Sequence, residues 1–180
     1  QLLLLYMVMG GIPFYLDQLD AALSAAQNIN HLCFEKDGAL RSEVDNLYRS
    51  LFNKAEKHVA VIETLCKKAK GLTRNEIIQG AKLPDAGSTT RILNELEESD
   101  FIRRYAPYGN KEKNSLYQLT DCYSLFYLKW IKKRSSLDDN TWIGQLDSPA
   151  NRAGSGYDSE HACRRQYRLL RQARGVGRGA

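Results

Sequence analysis

Residues 54–120 run KAEKHVAVIETLCKKAKGLTRNEIIQGAKLPDAGSTTRILNELEESDFIRRYAPYGNKEKNSLYQLT, and the fold turns on this stretch. In EKHVAVIETLCKKAK, Val59, Ile62, Leu65 and Cys66 share one stripe, with Lys57, Glu63, Lys67 and Lys68 opposite. Apolar residues recurring every three or four positions predict a helix with one buried face. Gly71 is the expected stop. Thr73 opens a second short helix, with Glu76 three residues on to complete a capping box and Ile77 and Ile78 directed inward. GAKLPDAG is a turn, because its glycines, proline and aspartate oppose helix continuation. Ser88 is the expected cap of a third helix, STTRILNELEESD, burying Ile92, Leu93 and Leu96. Phe101 to Tyr105 and Leu116 to Thr120 alternate as strands do, joined by the polar loop YAPYGNKEKNS. Three helices followed by a hairpin is the order of a winged helix.

The net charge of +5 is unevenly placed. Six arginines (164, 165, 168, 171, 174 and 178) follow Glu160 with no further acid. Residues 1–160 therefore hold 20 basic against 21 acidic side chains, a balance of −1. The basicity belongs to the tail, not to the winged helix. Apolar content of 43% and charged content of 26% are those of a globular protein. Four cysteines at 33, 66, 122 and 163 have no metal-site or redox-motif spacing, so reduced thiols in a cytoplasmic protein are expected.

The opening QLLLLYMVM has about half the ~20 apolar residues of a membrane span and lacks the flanks of a signal peptide. It is expected to be a helix cut from something longer, which makes the chain a fragment. Gly10-Gly11-Ile12-Pro13 breaks that helix, and Pro13 suits the first turn of the next. The second helix is expected to carry Leu16, Leu19, Leu23 and Ala26 inward and to end near Asn28 to Asn30. After the turn-bearing HLCFEKDGAL, a helix from Ser42 should bury Val44, Leu47, Tyr48, Leu51 and Phe52. Beyond the hairpin, Asp121 or Thr120 caps a helix carrying Tyr123, Phe126, Tyr127 and Trp130. These aromatics suit a domain interface more than a base-stacking platform. Residues 132–141 read as a linker, and the Gly-, Ser- and Arg-rich end as disordered.

No G-x-x-x-x-G-K-[ST] loop, H-E-x-x-H or G-x-S-x-G motif is present, and His31, His58 and His161 are scattered. No catalytic, cofactor or metal residue is assigned. His58 reads as a partly exposed structural residue. For DNA, the first residues of the third helix would meet base edges. That places Thr89, Thr90, Arg91 and Asn94 there, with Arg74, Lys82, Arg103, Arg104, Lys111 and Lys113 available to phosphates. Glu95, Glu97, Glu98 and Asp100 oppose this, since affinity for duplex DNA comes largely from neutralising its charge. Packing on another domain or a protein partner stands beside DNA contact as a reading.

The run Tyr6-Met7-x-x-Gly10-Gly11-Ile12-Pro13-x-Tyr15-Leu16 resembles the start of the lid in the archaeal-type ATPases, P-loop NTPases of the AAA+/STAND kind. Phe34-x-x-Asp37-Gly38-x-Leu40-x-x-Glu43-x-x-x-Leu47 is similar to the motif that follows there. KHVAVIETLCKKAKGLTRNEII and a winged helix ending in Tyr117-x-Leu119-x-Asp121 complete the order, over residues 1 to about 150. The resemblance implies an ATPase core, binding ATP and Mg²⁺, ahead of residue 1, and a nuclease-like domain after the winged helix. The start of that last domain resembles W-x-G-x-x-F-E-x-x-C, which Gly156, Glu160 and Cys163 match, while Gly154 and Ser159 replace the Trp and Phe. The nuclease acids expected further on are absent.

The expected architecture is mainly α. A helical lid-like segment (1–52) precedes a winged helix with its trailing helix (53–134), then a linker, a truncated domain and a disordered basic tail (135–180). Gly10 and Gly11 are the expected hinge. The expected role is transmission of nucleotide state from the missing core, without catalysis by the fragment. A free-standing winged-helix transcription regulator and a protein-interaction module are the alternatives.

Overall fold

The computed structural model describes residues 2–106 and 115–132. These form a mainly helical structure with one small antiparallel sheet. The expected basic tail, the linker and most of the loop after Tyr105 lie outside the described residues. No helix among those described is long and apolar enough to cross a membrane.

The first helix, α1 (Leu2–Met9), is apolar on every face and buries Val8 and Met9 against α3 and α8. Gly10 and Gly11 follow in left-handed conformations (φ 66° and 77°), which L side chains adopt at a cost. The ring of Tyr6 lies over this turn, 3.2 Å from where a Cβ on Gly11 would stand. The turn is therefore packed, and Pro13 begins α2 (Pro13–Leu16) as expected.

That second helix is far shorter than its sequence suggests. It ends at Leu16, and a new helix, α3 (Ala25–Cys33), starts behind a capping box of Ser24 and Gln27. Short polar side chains hold the break, as they compete with helix for backbone groups. Asp20 accepts from Ala22 N–H, and buried Asn28 bonds both the N–H and the carbonyl of Asp20 as well as the Leu23 carbonyl. Leu16 and Leu23 are consequently exposed, while Tyr15, Ile29, Leu32 and Cys33 enter the core. His31 to Cys33, expected in a link, are helical.

The helix α4 (Glu43–Leu51) buries Val44 and Tyr48, with Phe52 just after it; Leu51, expected inside, is 52% exposed. In α5 (Glu56–Cys66) the buried stripe is His58, Val61, Ile62 and Leu65, leaving Val59 and Cys66 partly covered. The helix ends before Gly71. That glycine (φ 89°) instead lets the chain pass Tyr117, whose carbonyl oxygen would stand 2.5 Å from an added Cβ.

This close approach forms a strand the sequence did not announce, β1 (Leu72–Thr73), pairing Leu72 with Tyr117. Thr73 and Glu76 make the expected capping box at the start of α6 (Arg74–Ala81), which continues through Gly80 and closes at a left-handed Lys82. The next helix, α7 (Gly87–Glu98), is preceded by Ala86, not capped by Ser88, and buries Ile92, Leu93 and Leu96 as expected. Antiparallel strands β2 (Ile102–Tyr105) and β3 (Leu116–Leu119) complete a sheet ordered β1-β3-β2.

Asp121 caps α8 (Cys122–Phe126), accepting from Ser124 N–H, and the chain runs on as a π-helical turn over Tyr127–Ile131. Tyr123 and Phe126 are buried, with Tyr127 and Trp130 packed at the core's edge. Tyr123 stacks at a tilt on Tyr15 at 5.0 Å and donates to the Leu40 carbonyl, while Phe126 meets Phe34 edge-on. One continuous core thus runs from Val8 to Phe126 across residue 52.

Candidate nucleic-acid interface

The approach of α7 is fixed from its N-terminal side. Arg74 pairs with Asp85 and donates to the Ala86 carbonyl and the Thr90 hydroxyl, both at 3.4 Å. The Thr89 hydroxyl donates to the Pro84 carbonyl at 2.6 Å, and the residue is fully buried. Two of the residues assigned to DNA by sequence therefore brace the turn. Thr89 is buried away from any base edge, and Arg74 is paired with Asp85 in the turn.

The outward face of α7 keeps Thr90, Arg91 and Asn94 together, all exposed. Arg104 is exposed on β2, and its backbone N–H donates to Glu97 Oε1 at 3.3 Å, which ties this strand to the end of α7. Arg103 lies on the other side of the ribbon. Its Nε donates to Gln118 Oε1 at 2.8 Å and its guanidinium rests 5.2 Å from the Tyr105 ring centre. Lys82 is exposed in the turn, and Lys111 and Lys113 lie outside the described residues.

The acidic half of α7 is partly neutralised by its own neighbours. Glu95 accepts from Arg91 Nε at 2.7 Å through Oε1 and bonds His58 Nε2 at 2.8 Å through Oε2. Arg91 first, and His58 second, hold its carboxyl below the usual range. Glu97 serves the Arg104 N–H, while Glu98 and Asp100 remain exposed.

His58 corrects the sequence reading most sharply. It is 3% exposed, not partly open, and its ring stacks on Phe52 at 4.2 Å and 8°. Its Nδ1 has no hydrogen-bond partner. His58, Phe52, Lys54, Lys57, Arg91 and Glu95 line an open cleft of about 630 Å³ between α5 and α7. Only the Arg91–Glu95 spacing, one helical turn, was visible in the sequence; the His58 contact spans 37 residues.

Among the described residues no group of three or more His, Cys, Asp or Glu is placed to hold a metal ion. Cys33 is a buried thiol, and burial pushes it up to about 12, far from a reactive thiolate. Comparison with protein-family models, curated proteins and solved structures found no match to this chain.

Proposed function

We propose that this chain is the lid and winged-helix portion of an ATP-binding protein resembling the archaeal-type ATPases, a non-catalytic unit that passes motion from a nucleotide core to a DNA-contacting helix. The shared core carries this reading. Tyr15, Leu40 and Tyr48 of the N-terminal segment contact Tyr123 and Ser124 of α8, so displacement of one end is handed to the other. Close-packed interiors transmit strain in this way.

The exposed apolar side chains of α1 and α2 favour an apolar contact with the nucleotide core: Leu2 at 84%, Phe14 at 57% and Leu3 at 52%. ATP and Mg²⁺ belong to that core. The order α5, α6, α7, β2, β3 supports a winged helix with α7 as the recognition helix. Thr90, Arg91 and Asn94 carry groups suited to base edges and phosphates, with Arg104 beside them on the ribbon.

The reading frame upstream of residue 1 tests the family assignment. An in-frame Walker A motif is expected; a start codon immediately upstream would favour the free-standing regulator and overturn it. For the DNA contact, the chain should bind a labelled random duplex at low salt, and the double variant Arg91→Glu, Arg104→Glu should bind about tenfold more weakly. Equal affinity would contradict it. The exposed Glu98 and Asp100 favour the second reading, a protein-interaction module, which predicts no duplex binding.

A further inference from the structure

Arg91 and His58 meet opposite oxygens of one carboxylate. An exposed Arg–Glu pair one helical turn apart is ordinarily weak, because both long side chains must be ordered to form it. Here one of them is already ordered. Glu95 is 30% exposed and its Oε2 is held by His58, which is buried against Phe52 and cannot swing away. Only Arg91, 80% exposed, gives up freedom when it docks on Oε1. On the outer face of α7 the Arg91 Nε–H meets a single carboxylate oxygen, Oε1, the kind of charged acceptor that a phosphate oxygen also offers.

We propose that Glu95 is an internal competitor for Arg91, occupying the guanidinium until a backbone phosphate of duplex DNA displaces it, and that His58 is the positioning residue that keeps Glu95 in place. This rests on the DNA-contacting reading of α7. The other charged groups around the cleft are Lys54, Lys57 and Glu98. Glu98 shares the helix and the charge of Glu95 but is exposed, which makes it the control.

The test uses the full chain as wild type and as Glu95→Gln, His58→Phe, His58→Gln and Glu98→Gln, each checked for folding by circular dichroism. Affinity for a fluorescein-labelled random duplex at low salt should tighten about 3- to 5-fold in E95Q and about 2- to 3-fold in H58F. H58F keeps the aromatic stack and every carboxylate, so a purely charge-based effect does not predict its gain. H58Q, which restores an N–H donor, should return to wild type, and E98Q should gain less than E95Q. Equal gains in E95Q and E98Q with H58F unchanged would overturn the proposal. In the free protein, exchange of the Arg91 Nε–H proton followed by NMR should be slow in wild type, H58Q and E98Q and at least about tenfold faster in E95Q and H58F. If no form binds duplex, the DNA reading fails, and this exchange alone decides the clamp: equal rates throughout would refute it.

Discussion

The hydroxyl of Tyr48 shares a buried hydrogen bond with Ser124 Oγ at 2.9 Å, joining residues 76 positions apart. It fastens α4 to α8 beside the point where Tyr123 donates to the Leu40 carbonyl. Removing one partner of such a pair leaves the other buried and unmatched, at about 1–3 kcal/mol. Tyr48→Phe and Ser124→Ala should each destabilise the chain by about that much, and together by less than the sum. Urea denaturation of the double-mutant cycle checks this; strict additivity would mean the bond contributes nothing to the joint.

Leu96 and Leu51 separate the core from its rim. Leu96 is fully buried on α7, and Leu51 is 52% exposed at the end of α4. Leu96→Ala should cost about 2–5 kcal/mol by loss of burial and a residual cavity. Leu51→Ala should stay within about 0.5 kcal/mol, as at other exposed positions. Thermal melts of the two variants decide the matter.

Gly71 and Gly87 should respond oppositely to alanine. At Gly71 the φ of 89° and the Tyr117 carbonyl leave no room for Cβ, and strain of about 1–3 kcal/mol is expected. At Gly87, in the first turn of α7, an added Cβ meets nothing within 4 Å. Gly87→Ala should be neutral or stabilise by about 0.5 kcal/mol. Denaturant midpoints would show the difference.

Glu76 gives the protein an acid-side dependence with a definite sign. The Thr73 N–H, then the Lys68 ammonium and the Thr73 hydroxyl, lower its carboxyl from 4.5 to about 2. A group lowered on folding adds stability that is present above pH 4.5 and lost as pH falls toward 2. The side chain is well exposed, so screening keeps the contribution below about 1 kcal/mol. Glu76→Gln should melt below wild type at pH 7, with the gap closing between pH 4.5 and 2. A gap that does not change with pH would contradict the assignment.

What the sequence disclosed and what it hid divide along physical lines. The Thr73–Glu76 box and the inward Ile92, Leu93 and Leu96 depend on spacing within one helix, so they were legible. The break before Ser24 was not, because it depends on the Asn28 side chain folding back onto Asp20. Thr89 read as a base-contacting residue until the Pro84 carbonyl, brought round by the turn, claimed its hydroxyl. His58 was missed for a similar reason, since Phe52, just past the end of α4, and Glu95 on α7 reach it from distant parts of the chain. Strand β1 has two residues, too few for any alternation to register.

The proposed transmission requires a rigid joint between the N-terminal helices and α7, and native-state hydrogen exchange in increasing denaturant tests it directly. The amides of Ile29 and Leu32 on α3 and of Leu93 and Leu96 on α7 should merge into one opening reaction, with a single free energy and a single denaturant slope. Opening of the α3 amides at lower free energy, while those on α7 stay protected, would contradict the account.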